Sequence, residues 1–417
     1  MRLLISAFAC APDSGSERGV GWNFAVQAAR NGIDVDVVTV TQFRQQIEEA
    51  LSAAPVDGLR FHFLGLPQFL DPLYFGTPEH HLSYYYLWQL RLIFFARRLT
   101  KRRSFDLCQH VTFCTDWLPS GLAFVDVPFI WGPVGGSTHK MPAEPALDLP
   151  AYAAKHERRR VLLQDSLQRF DPLVRRTMRR ASRILVYTHE GLDGIAARHR
   201  VRAEAIVHFG TSDDELPAGA GLANAAINDP TFRVVTGGRL VHWKGFDLLI
   251  RGFADFVRQT GADARLSVTG EGRYQSYLEE LAKSLGVAHK VEFLGHLPTR
   301  DDLYALMAQS HLFALPTLRD GPPTVILEAM HIGLPILCLD IGATHEMVPA
   351  GAGFKIPSGS TDLVIAGIAE ALRQGNQDRA GLKRMGEAAR QHVLDVHRWD
   401  RIGETMRDIY NSVSNQR

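Results

Sequence analysis

Short apolar runs of strand length alternate along this chain with longer stretches of helical period. Arg2 to Ala9, then Trp22 to Asn31, then Val35 to Thr41 predict an opening β-α-β unit. Further strands are predicted at Leu59 to Leu64, Leu107 to Val111, Pro128 to Trp131, Arg183 to Tyr187 and Ala205 to Phe209. A second series runs through Phe232 to Thr236, Arg265 to Thr269, Val291 to Leu294, Leu312 to Leu315 and Ile336 to Leu339. Apolar strands separated by helical patterns predict parallel sheets covered by helices on both faces.

Between the two series lies Thr211 to Pro230, rich in Asp, Gly, Pro, Ala and Asn and without sustained period, which predicts a linker. The expected division is a Rossmann-like first domain over residues 1–212, a linker over 213–230 and a Rossmann-like second domain over 231–396. Two such halves are expected to face each other across a cleft at the carboxyl ends of their strands, where open α/β sheets bind ligands.

Composition narrows the class. A chain of 417 residues is too long for one ordinary core. Hydrophobic residues at 46% and charged residues at 22% suit a globular protein. A net charge of +1 gives no general attraction to nucleic acid, and none is expected as a partner. Cys10, Cys108 and Cys338 sit in or beside apolar runs, as small buried hydrophobes do, and with Cys114 they form no metal-ligand spacing. Four cysteines in so long a chain fit a reducing cytosol, so the expected location is cytoplasmic. The apolar N-terminus is too short before Pro12 for a convincing signal peptide and reads as a first buried strand.

Candidate chemistry concentrates in the second half. Gly237-Gly238-Arg239-Leu240-Val241-His242-Trp243-Lys244-Gly245 follows a strand and precedes a helix. A glycine-flanked turn with Arg and Lys can meet a diphosphate with a planar fork and a mobile point charge; alone it reads equally as a solvated basic loop. Asp320-Gly321-Pro322-Pro323-Thr324-Val325 then opens a helix that carries Glu328 about two turns in. The free N–H groups of a helix N-terminus favour anionic oxygens. The plain alternative makes Asp320 a cap and Glu328 an exposed charge.

Asp320 and Glu328, Arg239 and Lys244, and the stretches Val268 to Gly272 and Val291 to Gly295 together resemble glycosyltransferase family 4, the retaining enzymes of the GT-B fold. The resemblance covers most of residues 232–350. It implies that Arg239 and Lys244 neutralise a leaving diphosphate, that Asp320 faces the transferred sugar and that Glu328 accepts from the ribose hydroxyls. Gly238, Gly270, Glu271, Leu294, Gly321, Thr324 and Val325 would complete the donor site. It also implies that the helical run near the end, about 397–417, crosses back to complete the first domain. Two departures stand out: Asp320 replaces the commoner Glu, and Gly321-Pro322-Pro323 replaces Gly-Phe-Gly, which leaves the donor sugar open.

In the first half, Gly15, Ser16 and Glu17 lie in the loop after the first strand, without the spacing of a dinucleotide fingerprint. His110 ends a strand and resembles the family's cleft histidine beside the sugar. Gly135 and Gly136 resemble a motif of bacterial polysaccharide-assembly members. His242 and His345 read as structural. Basic stretches at Arg97 to Arg103 and Arg175 to Arg180 fit either an anionic membrane surface or ordinary solvated helix faces.

The expectation is a retaining transferase using a UDP- or GDP-linked sugar and needing no metal or cofactor. Its acceptor would be a glycan, a lipid-linked glycan or a small molecule. The rivals are a nucleotide-sugar epimerase or sugar-phosphate synthase on the same fold, a nicotinamide-dependent oxidoreductase, and a catalytically idle binding subunit.

Overall fold

The computed structural model describes the whole chain except residues 13, 14, 76, 77, 114, 136–140, 142–148, 196, 213–228, 320, 416 and 417, and the side chains of 16, 78–80 and 198. It divides into two compact units. The first comprises Met1–Ser137, Arg160–Phe209 and Trp399–Arg417, and the second Thr138–Arg159 and Gly210–Arg398.

The first unit is built on seven strands: β1 (Arg2–Ser6), β2 (Asp34–Thr39), β3 (Leu59–Phe63), β4 (Leu107–His110), β5 (Phe129–Val134), β6 (Arg183–Val186) and β7 (Ala203–Ala205). They pair in the order β3-β2-β1-β4-β5-β6-β7, and every pairing is parallel. Leu3 lies opposite both Val35 and Leu107, so the first strand of the chain is central. Its residues Leu3, Leu4 and Ile5 are fully buried, as apolar runs enclosed between helix layers must be.

The helix Trp399–Ser414 belongs to this unit. Trp399 meets Phe24 of the helix Ser16–Arg30 edge to face at 6.4 Å. The Tyr410 hydroxyl donates to the Gln109 Oε1 atom, and the Gln109 amide donates to the Gly132 carbonyl at 2.8 Å. One buried amide thereby ties β4, β5 and the last helix together.

The second unit carries β8 (Phe232–Gly237), β9 (Ala264–Thr269), β10 (Val291–Gly295), β11 (Leu312–Leu315), β12 (Ile336–Leu339) and β13 (Gly353–Ile356). Their order is β10-β9-β8-β11-β12-β13, again parallel throughout. Each sheet therefore changes direction of winding beside its first strand, which is where an open parallel sheet forms a crevice.

Three local expectations need correction. The opening helix starts at Ser16 rather than Trp22, because Gly15 is extended and the chain turns helical directly after it. Strand β7 stops at Ala205, short of the predicted run to Phe209. The Ile206 N–H still reaches the Val186 carbonyl, but His208 then turns to pack its ring on Tyr187 and Phe209. Strand β13 has no counterpart in the predicted series. Its sequence Gly-Phe-Lys-Ile lacks a continuous apolar run, because it is the half-covered edge of the sheet.

Candidate functional site

In the second unit, the chain leaving β8 turns at Gly237 to Gly245 before entering the helix Phe246–Thr260. Here Gly238 has φ +133 and Gly245 φ +71, backbone regions that side chains strongly disfavour. Gly238 donates to the Thr269 carbonyl at 3.2 Å and Leu240 to the Glu271 carbonyl at 2.8 Å, so this turn lies against the turn after β9. Gly270 in turn donates to the Gly295 carbonyl at the end of β10 at 2.6 Å. On the other side, Leu318 donates to the Trp243 carbonyl at 2.8 Å, and a Cβ on Gly245 would stand 2.0 Å from the Pro316 carbonyl oxygen. The carboxyl ends of β8, β9, β10 and β11 are thus joined into one surface.

Arg239 is exposed on that turn, while Lys244 is half-buried at the end of a short 3-10 turn, His242–Lys244. The helix Thr324–His331 starts after the extended Pro323. Its first N–H groups have no intrahelical acceptor. Val325 approaches Gly237, so this helix end adjoins the basic turn. Gly321, Thr324 and Val325 are all partly exposed there, as are Gly270 and Leu294, and Glu271 is exposed.

Glu328 lies a little over one turn into its helix rather than two, because the helix begins only at Thr324. Nor is it simply an exposed charge: its side chain is 17% exposed and Oε1 accepts from Arg300 at 2.8 Å. Burial raises the Glu328 carboxyl above the ordinary carboxylate range, and Arg300 partly offsets this. Asp320 lies outside the described residues.

A second carboxylate, unanticipated from sequence, serves the same surface. Glu157, on the helix Ala151–Phe170, is 7% exposed. Its Oε1 accepts from His242 at 3.0 Å and from the Arg319 Nη2 atom at 2.8 Å, while Oε2 accepts from the Arg319 Nε atom at 3.1 Å. The Arg319 guanidinium lies over the Trp243 ring, 4.2 Å from its centroid. His156, Glu157 and His242 each offer a ligand atom within 4.8 Å of the others, a spacing a metal ion can bridge. Both Glu157 oxygens are already held by Arg319, however, and a cation there would have to displace a guanidinium. His345 contacts Asp340 at 2.7 Å.

In the first unit, His110 ends β4 and is 1% exposed, with Nε2 3.3 Å from the Tyr85 hydroxyl. Burial pushes its pKa down to about 4, partly opposed by the Thr112 backbone, whose carbonyl favours a donating ring N–H, so the ring is neutral near pH 7. Close by, Phe113 takes φ +63 and stacks on Tyr85 at 4.2 Å. Gly15 is exposed and precedes the first helix, which Ser16 opens and Glu17 continues. Gly135 is buried directly after β5; Gly136 and the Ser16 side chain lie outside the described residues.

The basic stretches sit at the ends of helices Pro78–Arg102 and Pro172–Arg180. Arg97 donates to the Phe124 carbonyl and Arg180 to the Val125 carbonyl, so part of each stretch holds a loop in place. No helix among the described residues is long and apolar enough to cross a membrane.

Comparison with known proteins places these features in context. Residues 223–392 match the family model described as Glycosyl transferases group 1. A mannosyltransferase from Corynebacterium glutamicum, dependent on GDP-mannose and named for monoacylated alpha-(1-6)-phosphatidylinositol monomannoside, is 31% identical over 193 residues. That match covers 45% of this chain and 49% of the relative, so the chain spans about half the length of the curated relatives it matches. Among solved structures, sucrose-phosphate synthase from Thermosynechococcus elongatus superposes with a TM-score of 0.70 at 15% identity, covering 100% of both chains. HepE of Anabaena, in complex with UDP and glucose, gives 0.61 at 16% identity, covering 99% of this chain and 100% of its own. The fold is GT-B, with two parallel-sheet α/β units.

Proposed function

We propose that the protein is a retaining glycosyltransferase that takes a sugar from a nucleoside diphosphate. The observation that carries this reading is the joined surface at the ends of β8, β9 and β11. There Arg239 and Lys244 flank a turn set against the N-terminus of the helix Thr324–His331, inside the segment matching the transferase model.

In this reading the nucleotide lies on the second unit, with Glu328 accepting from the ribose and Leu294, Gly270 and Glu271 lining the base side. The diphosphate meets Arg239, Lys244 and the helix N–H groups near Thr324. As the anomeric carbon–oxygen bond breaks, negative charge grows on the leaving phosphate, and these preorganised donors stabilise it. An acceptor hydroxyl then attacks from the same face, forming the new glycosidic bond. Its proton passes to a leaving phosphate oxygen. Asp320 serves the sugar. Two cationic side chains replace the charge a divalent ion would supply, so no metal is required.

The relatives leave UDP and GDP both open as donors: the Corynebacterium enzyme is named for GDP-mannose, and HepE was solved with UDP. A glycan or lipid-linked glycan acceptor agrees with the first of these names. The decisive experiment incubates the protein with UDP- and GDP-sugars, with and without oligosaccharide and lipid-linked acceptors. Acceptor-dependent release of nucleotide with retained anomeric configuration supports the reading. Interconversion of the sugars without an acceptor means an epimerase, and binding without turnover means an idle subunit.

A further inference from the structure

Glu157 is a buried carboxylate set against the Arg319 guanidinium and the His242 ring. Removing a carboxylate from water costs several kcal/mol unless its oxygens are matched by donors. Here three donors match it, and they come from two different loops: His242 from the turn after β8, and Arg319 twice from the loop after β11. Those loops also touch directly. Trp243 accepts at its carbonyl from the Leu318 N–H and the Thr317 hydroxyl, and its ring carries the Arg319 guanidinium. His242 is two residues from Lys244, and Arg319 immediately precedes Asp320. The Glu157 carboxylate thus joins the basic turn to the loop after β11.

We propose that Glu157 is a positioning residue for phosphate recognition. Its carboxylate clamps His242 and Arg319 so that Lys244 and Arg239 present one fixed arrangement of charge to a nucleoside diphosphate. It also neutralises Arg319, whose positive charge would otherwise repel Lys244 and loosen the turn. The carboxylate does not touch substrate; it acts through the two loops. This inference rests on the nucleotide-sugar reading, and goes beyond it by assigning a task to a helix outside the donor motif.

The test compares the whole protein with Glu157→Gln, which keeps the size of the side chain and removes its charge. Uridine, guanosine, UDP and GDP are titrated calorimetrically, with nucleosides measured by competition where weak. The expected result is a fall of about tenfold or more in affinity for the diphosphate the wild type binds, with nucleoside affinity unchanged. A general loosening of the unit would weaken nucleoside and diphosphate together, which overturns the proposal. Equal diphosphate binding in the variant and wild type also overturns it while leaving the transferase reading intact. Failure of the wild type to bind either diphosphate overturns both. Should Glu157→Gln not fold, as circular dichroism would reveal, Glu157→Asp carries the same test, with a smaller loss still confined to diphosphates. The double variant Glu157→Gln, Arg319→Gln should lose less than the sum of the two single changes, because the pair acts as a unit.

Discussion

A methyl group placed on Gly270 would stand 2.1 Å from the carbonyl oxygen of Gly238, closer than any side chain can sit. The turns after β8 and β9 therefore interlock backbone against backbone, and the basic residues on the first turn inherit their position from the second.

Gly270→Ala should separate these turns. Gly270 also has φ +101, so the alanine is strained even where space is made. The expected loss of stability is on the order of 2 kcal/mol, read as a shift in urea midpoint. Nucleoside diphosphate affinity should fall with it. An alanine variant with wild-type midpoint and affinity would show that the two turns do not depend on each other.

Arg239→Ala and Lys244→Ala should each lower turnover about a hundredfold, the usual cost of one positioned donor to developing charge. Arg239 is exposed and Lys244 half-buried, so neither change should much disturb folding. Turnover near normal in both would mean that the diphosphate binds elsewhere. A chelator added to the same assay should leave the wild-type rate unchanged.

Glu328→Ala should weaken free nucleoside diphosphate and nucleotide-sugar alike, by roughly 1.5–3 kcal/mol. Asp320→Ala should spare diphosphate affinity and lower turnover. Arg300 adds a pH dependence. Burial raises the Glu328 carboxyl and Arg300 pulls it back, so removing Arg300 raises it further. A ribose hydroxyl is best accepted by the ionised form, so affinity falls as pH drops through this pKa. In Arg300→Gln the fall should begin at higher pH than in wild type, and coincident titration curves would exclude the coupling.

His110 should make the protein acid-sensitive. Its folded pKa is down to about 4 from an ordinary 6.5. The unfolded chain therefore binds the extra proton first as pH falls, and stability is lost between about 6.5 and about 4. The shift corresponds to on the order of 3 kcal/mol across that window. His110→Gln should flatten the pH dependence of the unfolding free energy there. An unchanged slope would show that the ring is not held neutral.

Legibility in the sequence followed the kind of interaction. The buried strands of both sheets were readable because parallel strands covered on both faces need unbroken apolar runs, as in Leu312–Leu315. The half-covered strand at Gly353–Ile356 breaks that pattern and left no mark. The basic turn and the helix at Thr324 were readable because each combines glycine or proline with charge within a few residues. Glu157 was not: its partners lie 85 and 162 positions away, and a lone Glu in a charged helix looks like any solvated residue. Arg300 was hidden likewise, its bond to Glu328 spanning 28 positions from the start of the helix Arg300–Ala308 to the helix Thr324–His331.

The helix Trp399–Ser414 has a consequence for how the protein is made. It supplies Trp399 to Phe24 and Tyr410 to Gln109, yet it leaves the ribosome after all of the second unit has been synthesised. Until then the first unit has an uncovered apolar helix face, and the buried Gln109 amide oxygen lacks its Tyr410 donor. At roughly 5–20 residues per second, residues 210–398 take on the order of ten seconds or more to emerge. Throughout that interval the nascent first unit is a natural client for a chaperone, whereas the second unit can close on itself as soon as it is complete.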